Sequence, residues 1–345
     1  MACGQGDRRE TGKVAAIHGR HDNVFCGELA CGAEIIGEKG RFGMNMRFAE
    51  QVRVEVERKG NAACVGIDPA LERMAGVLLA SCKSDGGGQP DAEELLTRFG
   101  RLIVDAVADL VPVVKPQSAY FERFGPAGMR ALETVMRYAK KKGLLVVLDV
   151  KRGDIGETSS AYAEAYLGNG PWAEMVDCLT LAPYMGPDSL EPFARVAMRT
   201  GKGLFVCVRT SNPGAAYLQN LIAEGKPVYA HVAEMVAGLA ERQGVAGYSD
   251  MGAVVGATLA SEAREIRAML PKSLFLVPGL GAQGGSLAVV RDCFDADGGG
   301  AIVSSSRGVN YPVGEFTSLD QLGEAVRQAA RSFVQDVQSC RTAVV

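Results

Sequence analysis

The chain has 345 residues, 47% of them hydrophobic and 22% charged, and its net charge is −3. That suits one large α/β domain, or two ordinary ones, with a full core, and it gives no basic field to attract nucleic acid or an anionic membrane. The longest apolar runs fall short of the roughly 20 residues of a membrane helix, and no apolar signal-type segment opens the chain, so a cytoplasmic protein is expected.

Residues 1–45 are glycine-rich, hold three of the nine cysteines and show no hydrophobic period. They read as an irregular N-terminal extension, either a flexible tail or a stretch upstream of a true start at Met44 or Met46. The amphipathic pattern RFAEQVRVEVERKG (47–60) then predicts a helix leading into the first strand. From residue 62 onward, short β-branched runs alternate with helical patterns. The predicted strands are AACVGI (62–67), VPVVK (111–115), LLVVLDV (144–150) and VDCLTL (176–181), then GLFVCV (203–208), GAVVGA (252–257), SLFLV (273–277) and GAIVSS (300–305). They are almost wholly apolar rather than alternating, as strands buried on both faces are. Between them lie helical patterns such as PAGMRALETVMRYAKKKG (126–143), which closes on a lysine cluster and glycine.

Eight strands with intervening helices over roughly 280 residues predict an α/β fold, a single-domain (β/α)8 (TIM) barrel. The barrel is placed at 46–335, with 336–345 as a C-terminal tail. A doubly wound open sheet is the alternative, but GIDPALERM after the first strand lacks the glycine-rich turn of dinucleotide-binding sheets.

The nine cysteines contain no CxxC pair, and His18, His21 and His231 stand far from the polar clusters. Cys64, Cys178 and Cys207 sit in apolar runs, where cysteine behaves as a small buried hydrophobe. A zinc site or a histidine triad is therefore not expected, and acid–base chemistry falls to Asp, Glu, Lys or Tyr.

Active sites of such barrels lie at the C-terminal strand ends. Those ends carry Asp68, Lys115, and Asp149 and Lys151 with Asp154 just beyond. Later ends carry Pro183 and Tyr184, Thr210 and Ser211, Pro278 with Gln283, and Ser306 and Arg307. Singly, Asp68 before Pro69 could start a turn and Lys115 could snorkel. Three consecutive strands delivering Asp, Lys and Asp-x-Lys to one mouth read as a site. The glycine-rich stretch VPGLGAQGG (277–285) and Arg307, after strands seven and eight, occupy the usual phosphate position of this architecture.

A small phosphorylated substrate is thus expected at a mouth of alternating carboxylates and ammoniums, with no metal cluster in evidence. Asp149 and Asp154 favour the charged form of Lys151, which suits a general acid rather than a Schiff-base nucleophile. A carboxylate held against a substrate carboxylate is relieved by loss of CO2, and an adjacent ammonium can protonate the carbanion left behind. Decarboxylation fits best. Proton transfer or aldol chemistry on a sugar phosphate would use similar parts, a metal-dependent relative would need a further acidic ligand, and a catalytically dead nucleotide-binding barrel would gain nothing from these carboxylates.

The Asp-x-Lys-x-x-Asp signature at Asp149, Lys151 and Asp154 stands in barrel order with CVGIDP, VVKPQSAYFERFG, TSNPGA, VVGAT and VPGLGAQGG. Together these blocks resemble the longer bacterial subgroup of the orotidine 5′-phosphate decarboxylases, over roughly residues 46–335. The resemblance implies conversion of orotidine 5′-phosphate to uridine 5′-phosphate, the last step of UMP biosynthesis, without a cofactor or metal. It implies that Lys151 protonates C6 of the pyrimidine, that Asp149 crowds the substrate carboxylate and that Lys115 holds Asp149 and the ribose. Asp68 would contact ribose hydroxyls and Ser211 the pyrimidine edge, with Pro278 in the binding site and Gln283 and Arg307 on the phosphate. It also implies a homodimer in which Asp154 and Thr158 cross into the partner's site.

Overall fold

The computed structural model describes residues 46–82, 91–256, 260–280 and 286–342, all within one compact unit. The expected N-terminal extension and Gln283 lie outside the described residues. Apolar, β-branched runs form the strands: β1 (Ala63–Ile67), β2 (Val113–Pro116), β3 (Leu145–Arg152), β4 (Cys178–Leu181), β5 (Gly203–Arg209), β6 (Ser249–Val255), β7 (Ser273–Pro278) and β8 (Ala301–Ser305). Each pairs in parallel with its neighbours in sequence, and β1 pairs with β8, so the eight close into a barrel with helices between them. The predicted (β/α)8 architecture is observed, and the doubly wound alternative is not.

The strands are buried along nearly their whole length, which explains why their sequences carry no polar alternation. Strand ends shift by a residue or a few from expectation, and two boundary differences have a clear physical cause. Strand β6 begins at Ser249, three residues before the predicted apolar run, because its polar start is satisfied internally: Ser249 Oγ donates to Gln243 Oε1 (2.5 Å), and Asp250 accepts from the Ala49 amide (2.8 Å) and Arg47 (2.6 Å). The chain end differs too. The last helix spans Leu319–Thr342, and its stripe of buried residues continues through Val337 and Cys340. Residues 336–342, expected as part of a C-terminal tail, are therefore the packed end of that helix.

The predicted first helix is present as Phe48–Lys59 and plugs the N-terminal end of the barrel. Its Phe48 ring meets Phe205 edge-on at 6.0 Å, and Gly203 is the residue that admits it: a Cβ there would lie 2.1 Å from the ring. With one end sealed, the C-terminal strand ends form the open face. Between β5 and β6 the chain adds the helix Ala215–Gln219 and a small antiparallel ladder, Ile222–Ala223 with Lys226–Pro227. Among the described residues, no helix is long and apolar enough to cross a membrane.

Candidate active site

The open face holds a cavity of about 700 Å³ whose lining includes Asp68, Lys115, Asp149, Lys151, Ser211, Pro278 and Arg307. Of the ten residues to which the family resemblance assigns a role, seven thus share one site. Gln283 lies outside the described residues, and Asp154 and Thr158 stand off the lining.

The centre is built by β2 and β3. Lys115 and Asp149 are each only 6% exposed, and a buried charge is tolerated when it is paired and hydrogen-bonded. Lys115 Nζ donates to Asp149 Oδ2 at 2.8 Å, and Lys151 Nζ donates to Asp149 Oδ1 at 2.5 Å. Burial works against the charge of Asp149, but Lys115 and Lys151 outweigh it and hold its carboxyl well below the usual carboxylate range. Burial likewise opposes the Lys115 ammonium, and the Asp149 and Asp68 carboxylates outweigh it, raising its pKa above the ordinary lysine value. The result is an ammonium–carboxylate–ammonium row with one end sealed: the Lys115 side chain is 7% exposed and that of Lys151 48%.

The crowding of charge at 149–154 resolves by direction. Arg152 turns away from the cavity, donating to Glu122 (3.1 Å) and the Tyr166 hydroxyl (3.2 Å), with its guanidinium over the rings of Tyr162 and Tyr166. Lys151 reaches the mouth through a backbone φ of +43°, a left-handed conformation uncommon for a residue with a side chain. Asp154 Oδ1 accepts from the Ile155 amide (2.8 Å), and Thr158 is exposed on the helix Gly156–Leu167. Ile155 (57%) next to Asp154, and Tyr184 (84%) and Met185 (49%) on the loop after β4, are exposed.

The ends of β1 and β8 are tied together. Gly66 lets the β8 loop cross closely, since a Cβ there would meet Ser306 Oγ at 1.9 Å. Asn310 donates to the Gly66 carbonyl (2.8 Å) and accepts from the Asp68 amide (3.1 Å), while the Tyr311 hydroxyl donates to the Asp68 carbonyl and accepts from the Ala70 amide (2.7 Å). These bonds hold the backbone around Asp68 and leave its carboxylate free to act: Oδ1 is buried and has no hydrogen-bond partner among the described residues. Arg307 opens the short helix Arg307–Asn310 and is exposed at the rim.

The loop after β5, carrying Ser211, is held by a buried pair in which Arg209 Nε donates to Glu262 Oε2 (2.7 Å). The Gln219 side chain bridges to both the Thr210 amide (3.0 Å) and its hydroxyl (2.8 Å). Burial pushes the Cys64 thiol up to about 12, as expected for a core cysteine. Cys207 is partly open to the cavity, and burial pushes its thiol up to about 11. Sequence reasoning missed Thr180, Asn310 and Tyr311. The last two close the stretch SSSRGVNY (304–311) after the eighth strand, of which only Ser306 and Arg307 were singled out.

The model of the orotidine 5′-phosphate decarboxylase / HUMPS family matches residues 64–310. An orotidine 5′-phosphate decarboxylase of Rhodopirellula baltica is 48% identical over 272 residues, covering 77% of this chain and 89% of that protein. One from Caldicellulosiruptor saccharolyticus is 36% identical over 283 residues, covering 80% and 93%. Among solved structures, the OMP decarboxylase of Leishmania donovani superposes with a TM-score of 0.66 at 31% identity, covering 86% of this chain and 99% of that one.

Proposed function

The chain belongs to the orotidine 5′-phosphate decarboxylase / HUMPS family, and from that premise we propose how its barrel mouth turns orotidine 5′-phosphate into uridine 5′-phosphate and CO2, a decarboxylation of pyrimidine biosynthesis. The observation that carries the reading is the row Lys115–Asp149–Lys151, a carboxylate held ionised at the floor of the cavity between two ammoniums.

In this reading the substrate carboxylate is seated against Asp149. Repulsion between two carboxylates raises the energy of the bound substrate, and breaking the C6–carboxylate bond removes one of the charges as CO2. The electron pair of that bond stays on C6. The ammonium of Lys151, at the open end of the row, stabilises the developing negative charge and transfers its proton to C6, which closes the balance as uridine 5′-phosphate and a neutral amine. Lys115 keeps Asp149 ionised and in place. Asp68, with its unpartnered oxygen, accepts from ribose hydroxyls, and Ser211 with Pro278 borders the pyrimidine. Arg307 binds the phosphate together with Gln283. Asp154 and Thr158, off the lining of their own chain's cavity, complete the site of a second copy.

Every step uses side chains of the protein and needs no cofactor. The test is the loss of orotidine 5′-phosphate absorbance together with CO2 release, measured on the purified chain with and without a metal chelator. Turnover is expected and the chelator should leave it unchanged. Absence of turnover would overturn the activity, and loss with chelator alone would point to a metal-dependent member of the family.

A further inference from the structure

We infer that Thr180 is a positioning residue that sets the relation of Asp149 to Lys151, an inference that rests on the catalytic reading above. Strand β4 has only four residues, and Thr180 is 1% exposed among apolar neighbours. Its partner β3 is irregular at this point. The register runs from Leu148 opposite Leu179 directly to Arg152 opposite Leu181, so Asp149, Val150 and Lys151 all stand against the single residue Thr180. Such a bulge re-aims side chains and leaves backbone groups without ladder partners.

The Thr180 hydroxyl supplies what the ladder lacks. Its Oγ1 accepts from the Val150 amide at 3.0 Å and the Lys151 amide at 2.9 Å, and donates to Asp149 Oδ1 at 3.0 Å. One oxygen thus fixes the backbone on which Lys151 holds its φ of +43°, and orients the carboxylate that Lys151 Nζ contacts. A left-handed non-glycine residue persists only where its surroundings over-determine it, and this hydroxyl is the partner that the structure gives to the Lys151 amide. Without it the Lys151 amide loses its partner, the backbone relaxes, and the ammonium leaves the place where C6 is protonated. Thr180 lines the same cavity, but its hydroxyl is engaged by Asp149 and by the amides of Val150 and Lys151, so it acts through Asp149 and Lys151.

The experiment compares Thr180→Val, which keeps the shape without the hydroxyl, with Thr180→Ser, which keeps the hydroxyl. Thr180→Ala runs in parallel to cover the case in which valine prevents folding. The hydroxyl-free variants are expected to lose roughly 10–100-fold in kcat, the size of a hydrogen bond to a charged group. Their affinity for uridine 5′-phosphate, which places no carboxylate against Asp149, should stay within about threefold of wild type. Thr180→Ser should recover most of kcat. Unchanged kcat in Thr180→Val or Thr180→Ala would overturn the inference. So would an equal fall in Thr180→Ser, or a fall in kcat matched by an equal fall in product affinity, which marks general damage. The wild-type chain measured alongside separates the two levels: if it fails to decarboxylate, the catalytic reading falls, and if it turns over while the variants match it, only the role of Thr180 falls.

Discussion

At the scale of residues, the centre of the site is one carboxylate with three donors. Asp149 receives Lys115 on one oxygen and Lys151 and Thr180 on the other. Removing Lys151 leaves two of them, so a folded protein is expected from Lys151→Ala, and uridine 5′-phosphate, which brings no carboxylate to Asp149, should still bind. Turnover should fall by at least the roughly 10²–10⁴-fold typical of a positioned acid. Residual turnover within about tenfold of wild type, with product binding intact, would remove Lys151 from the proton step. Asp68, Lys115, Asp149 and Lys151 were legible in the sequence because a charge at the end of an apolar strand is costly unless something uses it. Thr180 was not. In an apolar run, threonine is an ordinary strand former, and its hydroxyl matters only because three residues of β3 face it, a register that no sequence pattern displays. Asn310 and Tyr311 were missed for a related reason: their partners are backbone atoms more than 240 positions away.

At the scale of elements, the two ends of the barrel divide their work. The C-terminal strand ends carry the charged mouth, and the N-terminal end is closed by the helix Phe48–Lys59. That closure hangs on Asp250, which accepts from the Ala49 amide and from Arg47 at the first turn of the plug. Asp250→Ala leaves a buried amide unpaired, costing about 1–3 kcal/mol, and should lower the melting temperature by a few degrees. At 25 °C, kcat/KM for orotidine 5′-phosphate should be unchanged, because the lesion lies at the sealed end. A fall in kcat/KM without a change in melting temperature would show that the ends are coupled. The strand cores were legible because they are continuous apolar runs. The start of β6 was hidden because Ser249 and Asp250 read as a loop until Gln243, Ala49 and Arg47 are seen to satisfy them. The last turn of the final helix was hidden because Val337 and Cys340 are two isolated apolar residues in a polar stretch, buried only by the packing of that helix on the barrel.

At the scale of the whole molecule, one rim of the mouth stays unexplained by a single copy. Ile155 follows Asp154, and Tyr184 and Met185 stand on the loop after β4, whose Ala182 amide donates to the Arg152 carbonyl at 2.9 Å; all three large side chains are exposed, and an exposed apolar patch marks an interaction site. A two-fold dimer joined through this rim would carry Asp154 and Thr158 toward the partner's cavity and cover the apolar side chains. In such a dimer Lys151 and Asp154 would serve one site from two chains. Mixing inactive variants tests it most directly. Lys151→Ala and Asp154→Ala homodimers should both be nearly inactive. Combined in equal amounts under conditions of subunit exchange, about half the dimers become heterodimers, each with one doubly defective site and one intact site, so roughly a quarter of all sites should recover turnover. If Asp154 serves its own chain, every site in the mixture keeps one lesion. Activity that remains at the level of the parents, with exchange verified by differently tagged subunits, would contradict the shared site.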